Sequence, residues 1–397
     1  MSACPALQMW HKSRPAPYQM ATRRSSAGAQ LKRLPGCAQR FCRLPVTDWA
    51  TFVDKVARLP AAERAALFGE SAAARGISNT IIEKDFWVCW TLRRIFALPK
   101  GETASLVFKG GTSLSKAYNA IRRFSEDIDL SFDRADLGYA GDHDPEMEGL
   151  GRKKTEKLID DLGADVAAHI AGRFLPTLRA AFVSALGEPS QGEWFLVIDP
   201  VDAQTVNFHY PPAFASAEYA GMSYITPRVK LELGARGDPW PTEEKVIRPY
   251  AAEDFPAFFE DPDTTVTVLS ARRTFWEKVT ALHAEAHRPE GFPTPQYFSR
   301  HFYDVAMLLE TDEGKGAARD FDLLAQVARH KSIFFRSAWA SYDTAKPGSL
   351  RLVPSDARIK DLRADYRDMA PMMFDAKAPA FDEILARIGQ FQDDVNR

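Results

Sequence analysis

The sequence predicts an α+β fold, a mixed sheet flanked by helices and followed by a C-terminal helical bundle, and three observations carry that expectation. The apolar run S-L-V-F at 105–108 breaks at Gly110-Gly111, where a helix can start, and the alternating segment D-I-D-L-S-F follows at 127–132. Strand-like runs return between 193 and 270, in E-W-F-L-V-I-D-P, A-Q-T-V-N-F-H-Y, Y-I-T-P-R-V-K-L-E-L-G, E-E-K-V-I-R-P-Y and T-T-V-T-V-L-S. Helical periodicity covers 48–98 and nearly everything after 270.

Residues 1–44 mix Pro, Ser, Ala, Gly and Arg without periodicity and read as a disordered basic tail. Three helical segments follow, the last beginning at the capping residue Ser78, with Ile82, Phe86, Cys89, Trp90, Leu92 and Ile95 as a stripe that packs beside the sheet. After Phe132 comes a loop, then a helical insertion, about 134–190, that reads as one long helix or two broken near Gly163 and Pro176. Beyond the strands, the helix bearing Phe275, Trp276, Lys278, Val279 and Leu282 leads through H-R-P-E-G-F-P-T-P to a second helix carrying Arg300, His301 and Asp304. The expected division is a first domain at 45–265, insertion included, and a helical domain at 266–397.

Composition narrows the function. A chain of 397 residues with 45% hydrophobic content can bury one large core or two smaller ones. It has no apolar run long enough to span a bilayer, which gives no support to a membrane role. Cys4, Cys37, Cys42 and Cys89 show no paired metal spacing and no disulfide framework, which fits a reducing cytoplasm. Eight of the 51 basic residues precede Asp48, the first acidic one, leaving 43 against 53 acidic, a body near −10. A sequence-blind nucleic-acid binder carries the opposite sign, so any RNA contact is expected on a local basic surface such as Arg152, Lys153, Lys154 and Lys157.

The chemistry concentrates at 109–132. Two glycines let the backbone approach an anion closely, Thr112 and Ser113 add hydroxyl donors, and the first turn of a helix from Ser113 to about Ala120 offers unpaired N–H groups. Period two puts Asp127 and Asp129 on one face of their strand, where they repel each other unless a hard divalent ion sits between them and substrate phosphates. In V-K-L-E-L, Lys230 and Glu232 likewise share a face. Glu232 is the candidate third carboxylate, for a second ion or for the proton of an attacking hydroxyl. His283 and His287 have helical i, i+4 spacing but lack the intervening glutamate of a zinc motif.

Strand, G-G-T-S, helix and D-x-D strand in that order resemble the polymerase-β-type nucleotidyltransferase superfamily. More narrowly, K-G-G-T-S-L-S-K-A-Y with R-F-S-E-D-I-D-L resembles the AbiEii/AbiGii toxin family, which includes the MenT-type toxins. The resemblance implies a polymerase-β-like sheet and a nucleotidyltransferase that moves NMP from an NTP to a hydroxyl with Mg²⁺ or Mn²⁺. It implies the toxin half of a toxin–antitoxin or phage-defence pair with a cognate antitoxin, and tRNA 3′ ends as acceptor in MenT-type relatives. By position it implies catalytic roles for Asp127, Asp129, Glu232, Lys278 and Asp304, with Asp304 holding Lys278. Nucleotide-binding roles fall to Lys109, Gly110, Gly111, Thr112, Ser113, Lys230 and Arg300. Glu83, Lys84 and Asp85 resemble the family's E-K-D stretch; from the residues alone they read equally as a solvated helix face. The alternatives are a protein or small-molecule acceptor at the same site, or a non-catalytic nucleotide- or antitoxin-binding protein.

Overall fold

The structure, a computed structural model, describes residues 53–190, 193–220, 226–374 and 378–397, all within the compact unit Trp49–Arg397. The expected N-terminal tail lies outside the described residues. Helices α1 (Val53–Arg58), α2 (Ala61–Arg75) and α3 (Asn79–Phe96) lead into β1 (Leu106–Lys109), α4 (Gly110–Lys116) and β2 (Asp127–Phe132). The Ser78 side chain caps α3, accepting from Thr80 N at 3.3 Å.

Next come α5 (Arg152–His169) and α6 (Leu175–Leu186), then β3 (Phe195–Ile198), β4 (Thr205–His209), α7 (Ser216–Ala220), β5 (Arg228–Gly234), β6 (Thr242–Ile247), α8 (Tyr250–Asp254) and β7 (Thr264–Leu269). The C-terminal helices are α9 (Ala271–Ala286), α10 (Ser299–Leu308), α11 (Asp312–Ala317), α12 (Phe321–Phe334), α13 (Asp356–Asp368) and α14 (Phe381–Asn396). Among the described residues no helix is long and apolar enough to cross a membrane.

The strands form one mixed sheet in the order β3-β4-β5-β2-β1-β7-β6. Pairings β2/β5 and β1/β7 are parallel; the rest are antiparallel. Ile128 and Leu130 on β2, and Val229, Leu231 and Leu233 on β5, point into the core, which leaves the intervening charged residues on the opposite face. One apolar cluster joins this sheet to α1–α3, α5 and α6, with Trp87, Trp90, Phe182 and Phe208 in edge or stacked ring contacts. A second gathers α9 to α14 around Trp276, Phe302 and Ile388. Leu114 of α4 belongs to the second cluster, so the double-glycine turn lies where sheet and C-terminal helices meet.

One local expectation changes and two open readings are decided. Helix α4 begins at Gly110, not Ser113, and stops at Lys116, with Asn119 at φ +49 in the reversal that follows. Of the two readings of the insertion the continuous one holds: α5 and α6 run on past Gly163 through a π-helical turn, Ile170–Phe174. Pro176 falls in the first turn of α6, where a missing N–H costs little. Glu83, Lys84 and Asp85 are not a solvated face, being 0%, 1% and 3% exposed. Each has a partner: Glu83 accepts from Ala213 N and the Tyr219 hydroxyl, Lys84 pairs with Glu126, and Asp85 pairs with Lys116 and accepts from Tyr250 N.

Candidate active site

Strand pairing assembles the site. Lys109 on β1 is the register partner of Asp129, and Asp129 is the partner of Glu232 on β5, so three charged residues stand in one row across adjacent strands. Asp127 pairs likewise with Lys230. The glycines explain why the turn sits so close to this row. A Cβ at Gly110, whose φ is +77, would lie 1.9 Å from Asp129 Oδ2. One at Gly111 would meet Arg123 Nη2 and Ser125 Oγ, both at 2.7 Å.

A cleft of about 380 Å³ opens over this row. Gly110, Gly111, Asp127, Asp129, Glu232, Lys278 and Arg300, all candidates from the sequence, line it. Thr112 and Ser113 do not: Thr112 Oγ1 donates to Asp127 O (2.5 Å) and Ser113 Oγ to Gly110 O (2.9 Å), so these buried hydroxyls brace the turn. Lys109, Lys230 and Asp304 sit behind or beside the lining. Arg236 is outside it; its carbonyl accepts from His330 Nε2 at 2.8 Å.

Sequence reasoning missed Arg123, Glu126 and Tyr297 and gave His301 no role, yet all four line the cleft. Arg123 is 3% exposed and donates from Nε and Nη2 to the two oxygens of Asp304, both at 2.8 Å; Lys278 Nζ adds a third contact to Asp304 Oδ2 at 2.8 Å. Burial alone would raise the Asp304 pKa, but Arg123 and Lys278 hold it well below the usual carboxylate range. His301 Nδ1 is 3.5 Å from Lys278 Nζ, and burial, with Lys278 and Arg300 nearby, drives its pKa well down. Its imidazole is therefore neutral.

Burial pushes Asp127 up to about 7, helped by Glu126 and Glu232 and opposed by Lys84 and Lys230. Asp129 is also raised, by burial first and by Glu232, against the pull of Lys109. Two crowded carboxylates whose charging is this unfavourable are a donor set that a hard divalent cation suits. Glu232 is turned toward Lys230, with which it pairs, so in this structure its carboxylate does not complete the set.

Among the described residues, the group of three candidate ligand atoms within 4.8 Å of one another lies elsewhere, at Glu146, Asp238 and His330. Both carboxylates there already have arginine partners, Arg134 and Arg273, which disfavours a cation. His283 and His287 are satisfied by hydrogen bonds, His283 Nε2 to Ser341 O and His287 Nδ1 to His283 O, at 2.9 and 2.8 Å. On α5, Arg152 and Lys157 pair with Glu156 and Asp161 one turn on, so half of that expected RNA surface is neutralised within the helix.

A double-glycine turn packed against an Asp-x-Asp strand, with a lysine from a following helix, defines a nucleotidyltransferase-type site. The family model described as "Nucleotidyl transferase AbiEii toxin, Type IV TA system" matches residues 92–387, and the chain belongs to that family. The protein is thus a nucleotidyltransferase of a toxin–antitoxin family, which implies an NTP substrate and a cognate antitoxin; such transferases generally use a divalent metal. Among solved structures it is similar to MenT4, a nucleotidyltransferase toxin from Mycobacterium tuberculosis H37Rv, at 13% identity and a TM-score of 0.39, with 83% of this chain and 96% of that one covered. No curated protein matches.

Proposed function

We propose that this protein transfers NMP from an NTP to a hydroxyl acceptor with Mg²⁺, or Mn²⁺, and that it acts in the cytoplasm as the toxin of a toxin–antitoxin or phage-defence pair, with tRNA 3′ ends as acceptor. The observation that carries the transfer is the row Lys109, Asp129, Glu232 across three strands, with an Asp129 oxygen seated where a Gly110 side chain would be. Asp127 and Asp129 would hold the metal, which when bound neutralises triphosphate charge and lowers the pKa of the attacking hydroxyl. Lys278 and Arg300 place positive charge against the phosphates as pyrophosphate departs. Asp304 keeps Lys278 aimed into the cleft. Glu232, released from Lys230, takes the hydroxyl's proton or joins the metal set.

In this reading residues 45–265 form the transferase domain, 134–190 its insertion, and 266–397 the helical domain that supplies Lys278, Arg300 and Asp304; the two apolar clusters follow this division except at Leu114 and Ile121 in the second and Val266, Val268 and Phe334 in the first. The test is incubation of the purified chain with each α-labelled NTP, Mg²⁺ and total RNA. Label entering tRNA supports the reading. Label entering only protein moves the acceptor to another class, and no label anywhere rejects the transfer.

A further inference from the structure

The loop between α9 and α10 is held at both ends by α13. Arg358 donates to Pro289 O and Phe292 O, both at 3.1 Å, and to Thr294 Oγ1 at 2.7 Å. Seven residues on, Asp365 accepts from Tyr297 N, from Ser299 N at 2.8 Å and from Ser299 Oγ at 2.5 Å. Between these anchors Tyr297 adopts φ +58, the left-handed region that a bulky side chain rarely enters and that costs free energy to maintain. A carboxylate on a separate helix thus enforces an unfavourable backbone at one aromatic residue.

That residue lines the carboxylate cleft. Its side chain is half-buried, and among the described residues its ring stacks on no other aromatic ring. The other large apolar lining groups are Phe124 and Met372, joined by the bond Phe124 N to Met372 O at 2.6 Å and nearly buried. Everything else of size in the lining is charged or imidazole. A nucleoside triphosphate has the same division, an anionic chain at one end and a planar apolar face at the other.

We infer that Tyr297 is the platform on which the base of the NTP stacks, with Met372 and Phe124 completing the apolar wall. The inference rests on the transferase reading and deepens it, because it names the group that senses the nucleoside. An aromatic face accepts any base, so Tyr297 contributes affinity for all four NTPs, and a fixed loop spares the cost of ordering it on binding.

The experiment measures equilibrium binding, without acceptor, of α,β-methylene NTP analogues and of inorganic tripolyphosphate to the full-length chain with Mg²⁺. Tyr297→Ala and Tyr297→Leu should weaken NTP analogues about tenfold or more and leave tripolyphosphate unchanged; Tyr297→Phe should match wild type. Tyr297→Gly removes the backbone strain along with the ring, so it should hold or raise the melting temperature while losing NTP affinity. Equal loss for both ligands, or none for either, overturns the platform. An unchanged NTP affinity with a raised KM for RNA assigns the ring to the acceptor's terminal base and overturns it as well. A wild-type chain that binds neither ligand rejects the transferase reading first.

Discussion

Arg123 and Asp304 are 181 residues apart in sequence and joined by two buried 2.8 Å hydrogen bonds, fastening the segment before β2 to α10. Because Asp304 also holds Lys278, the same carboxylate ties the segment before β2 to α9, the helix that carries this lysine. Both Asp304 oxygens already have cationic partners, which fits the positioning role proposed for it.

Breaking this clasp from one side strands a charge in the interior. Arg123→Ala or Asp304→Ala should cost about 3–5 kcal/mol in urea unfolding. The paired replacement Arg123→Met with Asp304→Leu removes one stranded charge but leaves the buried Lys278 without its carboxylate, so it should recover only part of that stability and none of the activity. Recovery of both would show that the clasp has no part in catalysis.

Gly110 and Gly76 both have positive φ, +77 and +67, but only Gly110 has a neighbour where a Cβ would go. Gly76→Ala should therefore cost about 1 kcal/mol and keep full transfer activity. Gly110→Ala adds displacement of Asp129, and transfer should fall by about a hundredfold or more. Comparable kinetics in the two variants would remove the Gly110–Asp129 contact from the account.

The raised carboxyls set a pH signature. Folded values above the ordinary one of about 3.9 mean that their stabilising contribution is fully present below it and is lost as pH rises, for Asp127 through about 7. A cation bound to the charged pair offsets that loss. Mg²⁺ should then raise the melting temperature little at pH 5 and most above pH 7, and Asp127→Asn should flatten the dependence. A Mg²⁺ shift independent of pH argues that the ion binds elsewhere.

Period two makes the Asp127/Asp129 face legible from the residue order alone, and the K-x-E strand beside it follows from the same rule. Long-range partners are not legible in that way. Arg123 in R-F-S-E-D-I-D-L looks like a solvated arginine until Asp304 is brought to it, and Tyr297 is an ordinary loop residue until Asp365, 68 positions later, fixes its backbone. Three consecutive charged residues at 83–85 read as surface because each finds its partner on a different element. The hydroxyls of Thr112 and Ser113 are legible as donors, but not as donors to their own turn.

The most direct measurement follows both products of one turnover: label from α-labelled NTP on the acceptor, and pyrophosphate in solution. The account predicts one pyrophosphate per label, dependence on Mg²⁺, and a loss of about a thousandfold or more in Asp129→Ala with the chain still folded. Transfer of the γ-phosphate instead, or undiminished labelling by Asp129→Ala, would contradict it.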